Sequence, residues 1–128
     1  MATKEIVAVG VAGSNPNLSP ATRFGNLVCV SGQTGRHPTS GESGGDVREQ
    51  TRNVLERIKV VLEAAGTSLD NVLTATVYLV NRNDLAAYNE VYASYFPSNK
   101  PARTTVTVAA LNSPELLIEI TVTAGIPG

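Results

Sequence analysis

The segment 116–124 constrains the fold most, because its side chains alternate strictly between an apolar and a largely polar series. Successive side chains of a β-strand point to opposite faces of the sheet, so this pattern predicts a strand with one face in a hydrophobic core. The other face must be solvated or covered by a partner. The apolar series is Leu116, Ile118, Ile120, Val122 and Ala124, and the opposite series is Leu117, Glu119, Thr121 and Thr123.

A second predicted strand, 101–108, carries an arginine in the same kind of pattern. Arg103 shares one face with Thr105 and Thr107. If this strand pairs with 116–124 as a hairpin, Arg103 and Glu119 face the same polar space. A guanidinium there can hold an anion bidentately, and a carboxylate can activate water. Two other interpretations remain open: a structural ion pair between these residues, or a solvated charge on an edge strand.

Residues 46–65 predict the longest helix. Asp46 and Glu49 have the spacing of a capping box, and Gly66 is a suitable stop. A second helix is predicted over 85–96, with Asp84 as its N-cap and Pro97 at its end. The apolar stripe of the first helix, at three- and four-residue spacing, consists of Val47, Val54, Leu55, Ile58, Val61, Leu62 and Ala65.

The remaining segments complete a β-β-α-β-α-β-β order, with further strands at 5–11, 26–33 and 72–80 and loops at 13–25 and 34–45. This order predicts an α+β fold in which two helices pack on one face of a mixed sheet. The length predicts a single domain over 1–128. The second sheet face is expected to form a polar subunit interface, populated by Thr74, Thr76, Tyr78, Thr105, Thr107, Thr121 and Thr123.

Composition argues against several functional classes. The net charge of −1 gives no basic surface for nucleic acid. One cysteine and one histidine predict no metal site, and Cys29 is expected to be a small buried side chain. The chain has no apolar run of the length that spans a membrane and no apolar core of a secretory signal near Met1. The expected location is therefore the cytoplasm.

Short motifs follow one another along nearly the whole chain, from about Ser19 to Ala124. In order they are Ser19-Pro20-Ala21, Leu27-Val28-Cys29-Val30-Ser31-Gly32-Gln33, Gln50-Thr51-Arg52-Asn53-Val54-Leu55, Leu62-Glu63-Ala64-Ala65-Gly66, Tyr88-Asn89-Glu90-Val91-Tyr92, Phe96-Pro97, Pro101-Ala102-Arg103-Thr104-Thr105-Val106 and Ile118-Glu119-Ile120. In this order and spacing they resemble the Rid family, the YjgF-type imine deaminases, also called the translation-inhibitor or perchloric-acid-soluble protein family.

The resemblance implies a chorismate-mutase-like sandwich that assembles as a homotrimer, with three sites in the clefts between subunits. It implies hydrolysis of reactive enamines and imines, such as 2-aminoacrylate and 2-iminopropanoate, to a 2-oxo acid and ammonia. No cofactor is needed for that reaction in the family.

The resemblance also implies roles for individual residues. Arg103 matches the arginine that binds the substrate carboxylate, and Glu119 matches the acidic residue that positions or activates water. Ser31 and Asn89 match residues of the substrate pocket. Thr105 stands where many members have cysteine, and its backbone is expected to contact the substrate.

One motif departs from the family. Ala21 follows Ser19-Pro20 where many members carry a tyrosine that closes the pocket, and Phe24 is expected to fill part of that space. A wider pocket would suit a larger imine. Two other functions stay open at this point, namely a ribonuclease or translation inhibitor and a non-catalytic ligand-binding or chaperone-like protein.

Overall fold

The computed structural model describes residues 1–11, 13 and 15–128, so Ala12 and Ser14, the latter in the predicted loop 13–25, lie outside the described residues. The described chain forms six strands and two α-helices, with short 3₁₀ turns at Leu69–Asn71 and Arg82–Asp84. In chain order the elements are β1 (Lys4–Val7), β2 (Ala21–Phe24), β3 (Leu27–Thr34), α1 (Val47–Ala64), β4 (Val72–Leu79), α2 (Leu85–Tyr95), β5 (Ala102–Thr107) and β6 (Ile118–Gly125).

The six strands form one mixed sheet in the order β1-β2-β3-β6-β4-β5. Only β4 and β5 are parallel, because the chain crosses between them through α2. β6 lies between β3 and β4 and is antiparallel to both. The hairpin between segments 101–108 and 116–124 is therefore wrong: β4 separates the two strands, although they are neighbours in sequence.

Strand β2 was missing from the predicted order, since residues 13–25 were interpreted as loop. It forms a hairpin with β3 through the two-residue turn Gly25-Asn26, in which Phe24 pairs with Leu27. Gly25 has φ +62°, a conformation that glycine adopts without strain. A Gly-Asn pair between short β-forming runs is a hairpin signal that could have identified this strand. β1 is shorter than predicted and ends at Val7.

Helix α1 confirms the predicted boundaries and the predicted apolar stripe. Asp46 Oδ1 accepts a hydrogen bond from the Glu49 N–H at 2.9 Å, and Glu49 Oε2 accepts one from the Gly45 N–H at 2.9 Å. Gly66 follows the helix with φ +86°. All seven predicted stripe residues are buried, namely Val47, Val54, Leu55, Ile58, Val61, Leu62 and Ala65.

Helix α2 packs beside α1, and both cover the same face of the sheet. Asp84 lies at the predicted N-cap position, but its side chain makes no capping hydrogen bond. Asn81 instead caps the preceding 3₁₀ turn by accepting from the Asn83 N–H. No helix within residues 1–11, 13 and 15–128 is long and apolar enough to cross a membrane.

The core lies between the helices and one face of the sheet. Ile118, Ile120 and Val122 are buried there, as the alternation of β6 predicts. Burying each aliphatic side chain of this kind contributes roughly 1.5–3 kcal/mol. The uncovered face carries polar side chains but also exposed large apolar ones, namely Ile6, Phe24, Leu27, Leu73 and Val106.

Two threonines predicted on the uncovered face lie on the helix-covered face instead. In the register of β4 and β5, Thr105 pairs with Val77 and Thr107 pairs with Leu79, and both partners belong to the core. Paired residues point to the same side of a sheet, so the Arg103 series of β5 faces the helices. The prediction failed because β5 is an edge strand, where a polar series can lie on the helix side and still contact water.

Candidate functional site

A guanidinium stacked on two tyrosines forms the first part of the candidate site. Arg103 Cζ lies 4.7 Å from the Tyr92 ring centroid and 5.4 Å from that of Tyr88. Its Nη1 donates to Asn89 Oδ1 at 2.9 Å. Stacking and one hydrogen bond orient the cation while its side chain stays exposed on edge strand β5. An oriented, exposed guanidinium is suited to binding a carboxylate.

The two tyrosines connect Arg103 to the rest of β5. Tyr88 Oη and Thr105 Oγ1 share a hydrogen bond at 3.1 Å. Burial raises the pKa of Tyr88, while Thr105 and the positive charge of Arg103 act in the opposite direction. Burial also raises the pKa of Tyr92 to about 12. Three predicted site residues, Asn89, Arg103 and Thr105, thus lie together.

Tyr88 and Tyr92 were not among the predicted site residues, so their contact with the guanidinium was missed. Both are buried and pack in the core. Their spacing of four residues on α2 places both rings on one helix face. The signal for this contact is the polar series of β5, which faces that helix. The contact was missed because this series was predicted to lie on the uncovered face.

Glu119 forms the second part of the candidate site and lies on the uncovered face of β6. It pairs in register with Tyr78 of β4 and with Thr34 of β3. Burial raises the pKa of its carboxyl. No ion pair among the described residues includes it. A half-buried carboxylate without a cation beside it is a better base than a solvated one.

A glycine allows β3 to approach this carboxylate closely. The register of β3 and β6 shifts between Val30 and Gln33, and Gly32 lies within that shift. A Cβ at position 32 would overlap the Glu119 carboxylate and would lie 3.1 Å from Thr121 Oγ1. The Gln33 Nε2 donates to the Ser31 carbonyl at 2.9 Å and holds the irregular segment.

The Ser31 hydroxyl fastens a loop to this segment. Its Oγ donates to the Ser19 carbonyl at 2.6 Å, and its backbone N–H donates to the Pro20 carbonyl at 2.9 Å. Ser31 therefore fixes the Ser19-Pro20 motif against β3. Its side chain also borders the cavity beside Glu119.

A cavity of about 460 Å³ opens at the edge of β3, beyond the Ala21 end of β2. Ser31, Gly32 and Glu119 line it, together with Leu18 and Pro20 of the loop. Two other cavities, of about 480 and 580 Å³, do not include Glu119. The size of the edge cavity suits a small-molecule ligand.

Neither residue near the departing motif lines this cavity. The Ala21 side chain is buried in the core, with 1 % of its surface exposed. Phe24 lies at the far end of β2, is 60 % exposed and does not line this cavity. Cys29, expected to be buried, is exposed on the uncovered face.

The two parts of the candidate site lie on opposite faces of the sheet. Arg103 pairs with the core residue Ala75 on the helix-covered side, and Glu119 pairs with Tyr78 on the uncovered side. The polar space that the two charges were predicted to share is therefore absent within one chain. Among the described residues no group of three or more His, Cys, Asp or Glu side chains could hold a metal ion.

Comparisons with known proteins agree with this architecture. The family model described as Endoribonuclease L-PSP matches residues 11–126. A RutC family protein of Pyrococcus horikoshii is 50 % identical over 103 residues, covering 80 % of this chain and 81 % of that protein. The human 2-iminobutanoate/2-iminopropanoate deaminase is 42 % identical over 95 residues, covering 73 % and 69 %. A Rid family crystal structure from Yersinia pestis has a TM-score of 0.91 at 35 % identity, covering 97 % and 100 %.

Proposed function

Because the chain belongs to the Rid (YjgF-type) family, whose model is described as Endoribonuclease L-PSP, we propose that it is a cofactor-independent imine deaminase. The proposed substrates are 2-imino acids and their enamine tautomers, of the 2-aminoacrylate and 2-iminopropanoate type. The products are a 2-oxo acid and ammonia. The human relative named for such a deaminase supports this substrate class.

The two parts of the candidate site supply complementary steps of this reaction. Arg103 binds the substrate carboxylate, with its guanidinium already oriented by Tyr92 and Asn89. Glu119 takes a proton from a water molecule as the water oxygen adds to the imine carbon, and passes that proton to the imine nitrogen to give a carbinolamine. The hydroxyl proton of the carbinolamine then moves to the nitrogen, the carbon–nitrogen bond breaks, and ammonia leaves as the 2-oxo acid forms. Asn89 and Thr105 hold the arginine side of the site, and Ser31 and Gly32 border the carboxylate side.

One observation carries the proposal on how the site is assembled: Arg103 and Glu119 lie on opposite faces of the sheet. A single substrate contacts both only if they come from different copies of the chain. We therefore place the site between subunits, which the family resemblance implies form a homotrimer. The uncovered face supports an assembly of this kind, because it exposes Ile6, Phe24 and Leu73 beside its polar strands.

The test follows hydrolysis of 2-aminoacrylate that a serine dehydratase generates in the assay. Wild-type protein should accelerate pyruvate formation. Arg103→Ala should lower the acceleration by about 100-fold or more, because it removes the charge that positions the substrate. Arg82→Ala is the matched control, since Arg82 is exposed in a turn before α2. No acceleration by the wild-type protein, or equal loss in both variants, contradicts the proposal.

The description of the family as an endoribonuclease does not change this proposal. The net charge is −1, so the chain lacks the excess of basic residues typical of RNA-binding proteins. The single histidine, His37, is exposed, and its Nδ1 accepts hydrogen bonds from the backbone N–H groups of Thr39 and Ser40. Cleavage of single-stranded RNA by wild-type protein and by Arg103→Ala, measured at two salt concentrations, tests the ribonuclease alternative directly.

A further inference from the structure

Helix α1 carries a buried polar stripe beside its apolar one. Gln50, Asn53 and Arg57 follow each other at three- and four-residue spacing, and all three are buried. Arg57 is 6 % exposed. Its Nε donates to Gln33 Oε1 at 2.9 Å, and its Nη1 donates to the Arg36 carbonyl at 3.5 Å.

The charge of Arg57 has no carboxylate partner within the described residues. None of their ion pairs includes it. Burial lowers the pKa of Arg57, and the positive charge of Arg36 lowers it further. Arg36 itself is paired with Glu115 at 2.8 Å. A buried cation with only neutral acceptors is costly, so an anion that binds beside it would be stabilised.

Arg57 lines the same edge cavity as Glu119. The two charges do not form an ion pair with each other. Arg57 also lies on the helix side of β3, where it contacts Gln33, whereas Glu119 lies on the uncovered side. The cavity passes around the strand edge between them.

We propose that the end of this cavity beside Arg57 is a binding subsite for an anionic side chain of the substrate, so that the preferred substrates are 2-imino dicarboxylic acids. This inference rests on the proposed function. The guanidinium Nη2 makes no hydrogen bond among the described residues, so it is free to donate to a carboxylate at the cavity wall. Arg103 of a second copy would hold the carboxylate next to the imine, and Arg57 the distal one.

A purely structural role for Arg57 makes a different prediction. Through Gln33 and its bond to the Ser31 carbonyl, Arg57 supports the irregular part of β3 next to Glu119. Loss of that support would slow hydrolysis of every imine by a similar factor. A subsite would affect only substrates with a distal anion.

The experiment compares two imines of nearly equal size, which an amino-acid oxidase generates from glutamate and from glutamine. The imine from glutamate has a distal carboxylate, and the imine from glutamine has a neutral amide in its place. Wild-type protein should show a kcat/KM about tenfold or more higher for the carboxylate imine. Arg57→Gln should remove that preference, so that kcat/KM for the carboxylate imine falls to the value for the amide imine. Arg52→Gln, an equal charge change on the exposed side of α1, should keep the preference.

Equal wild-type rates for the two imines overturn the inference, and so does an equal loss of both rates in Arg57→Gln. If Arg57→Gln does not fold, wild-type protein and Arg57→Lys, which keeps the positive charge, are compared instead. Both should prefer the carboxylate imine, and equal rates for the two imines overturn the inference. If wild-type protein hydrolyses no imine, including 2-iminopropanoate, the proposed function has failed. Calorimetric binding of 2-oxoglutarate against 2-oxobutanoate then decides the subsite: a preference for 2-oxoglutarate that Arg57→Gln loses supports it, and equal binding overturns it.

Discussion

The arginine part and the glutamate part of the candidate site are held in opposite ways. Arg103 is exposed and is oriented by direct contacts with Tyr88, Tyr92 and Asn89. Glu119 is half-buried, lacks an ion-pair partner among the described residues, and faces a strand that approaches because position 32 has no side chain. Contacts with α2 therefore orient the cation, whereas burial raises the pKa of the carboxyl and makes the carboxylate a stronger base.

The largest expected effect is recovery of activity when two inactive variants are mixed. Arg103→Ala retains Glu119, and Glu119→Gln retains Arg103. If one site takes these residues from neighbouring subunits, random reassembly of equal amounts as a trimer makes about one quarter of the sites intact. Hydrolysis of 2-aminoacrylate should rise from near zero to about that fraction of the wild-type rate.

The double variant provides the control for this mixing experiment. Arg103→Ala combined with Glu119→Gln in one chain, mixed with either single variant, leaves no site with both residues. It should therefore show no recovery. Failure of the two single variants to recover, although mass spectrometry shows mixed oligomers, would mean that the two charges do not act on one substrate.

A smaller effect is expected at the close approach of β3 to Glu119. Gly32→Ala would place a methyl group against the carboxylate, which can move because it is the end of a flexible side chain. A displaced base should lower kcat by about tenfold or more. The free energy of unfolding should change by less than about 1 kcal/mol, since alanine restricts the unfolded chain. Steady-state kinetics and urea denaturation on one preparation measure both.

Gly35→Ala is the matched control for this variant, three residues along the same chain. There a Cβ would overlap the Gln50 side chain. Gln50 is fully buried and is held by the carbonyls of Gly44 and Glu115 and the N–H of Leu117. It cannot move without breaking these bonds, so we expect a loss of about 1–3 kcal/mol in stability. Equal changes in kcat and in the free energy of unfolding for Gly32→Ala and Gly35→Ala would contradict the difference proposed between the Glu119 side chain and the Gln50 side chain.

Repeated local patterns could be predicted from the sequence, whereas the pairing of strands could not. The apolar stripe of α1 and the alternation of β6 each repeat several times, so the helix, the strand and the core side of both were predictable. The face of Arg103 was not, because it depends on which strand lies beside β5. Adjacent strands in sequence favour a hairpin, but the crossover through α2 makes β4 the partner instead.

The polar stripe of α1 was unpredictable for a related reason. Gln50 and Arg57 look like ordinary helix-surface residues, and only tertiary contacts bury them. Their partners are backbone carbonyls and an amide side chain far away in sequence, such as the Glu115 carbonyl for Gln50 and Gln33 for Arg57. Family resemblance supplied the candidate roles of Arg103 and Glu119, and these stay predictions until activity is measured.

On the arginine side, we expect Tyr92→Phe to increase stability. The Tyr92 hydroxyl oxygen is buried with no hydrogen-bond partner among the described residues. Its removal should stabilise the fold by about 1 kcal/mol, and the phenylalanine ring still stacks under Arg103. Thermal denaturation measures the gain, and Tyr88→Phe, which breaks a bond to Thr105, should lose stability instead. A destabilised Tyr92→Phe would show that assembly or hydration satisfies the hydroxyl.

The smallest effect concerns Glu119 and pH. Its folded pKa is raised above the ordinary value of 4.5, so the folded state holds the proton more tightly than the unfolded state does. That contribution to stability is full at low pH and is lost as the pH rises through the folded pKa. Glu119→Gln, which resembles the protonated form, should therefore melt close to wild type at pH 4 and slightly above it at pH 8. The exposed Glu63→Gln variant should show no such trend. A larger advantage of Glu119→Gln at pH 4 than at pH 8 would mean that a cation, supplied on assembly, stabilises the carboxylate, and the arginine and glutamate parts would then be electrostatically coupled in the resting protein.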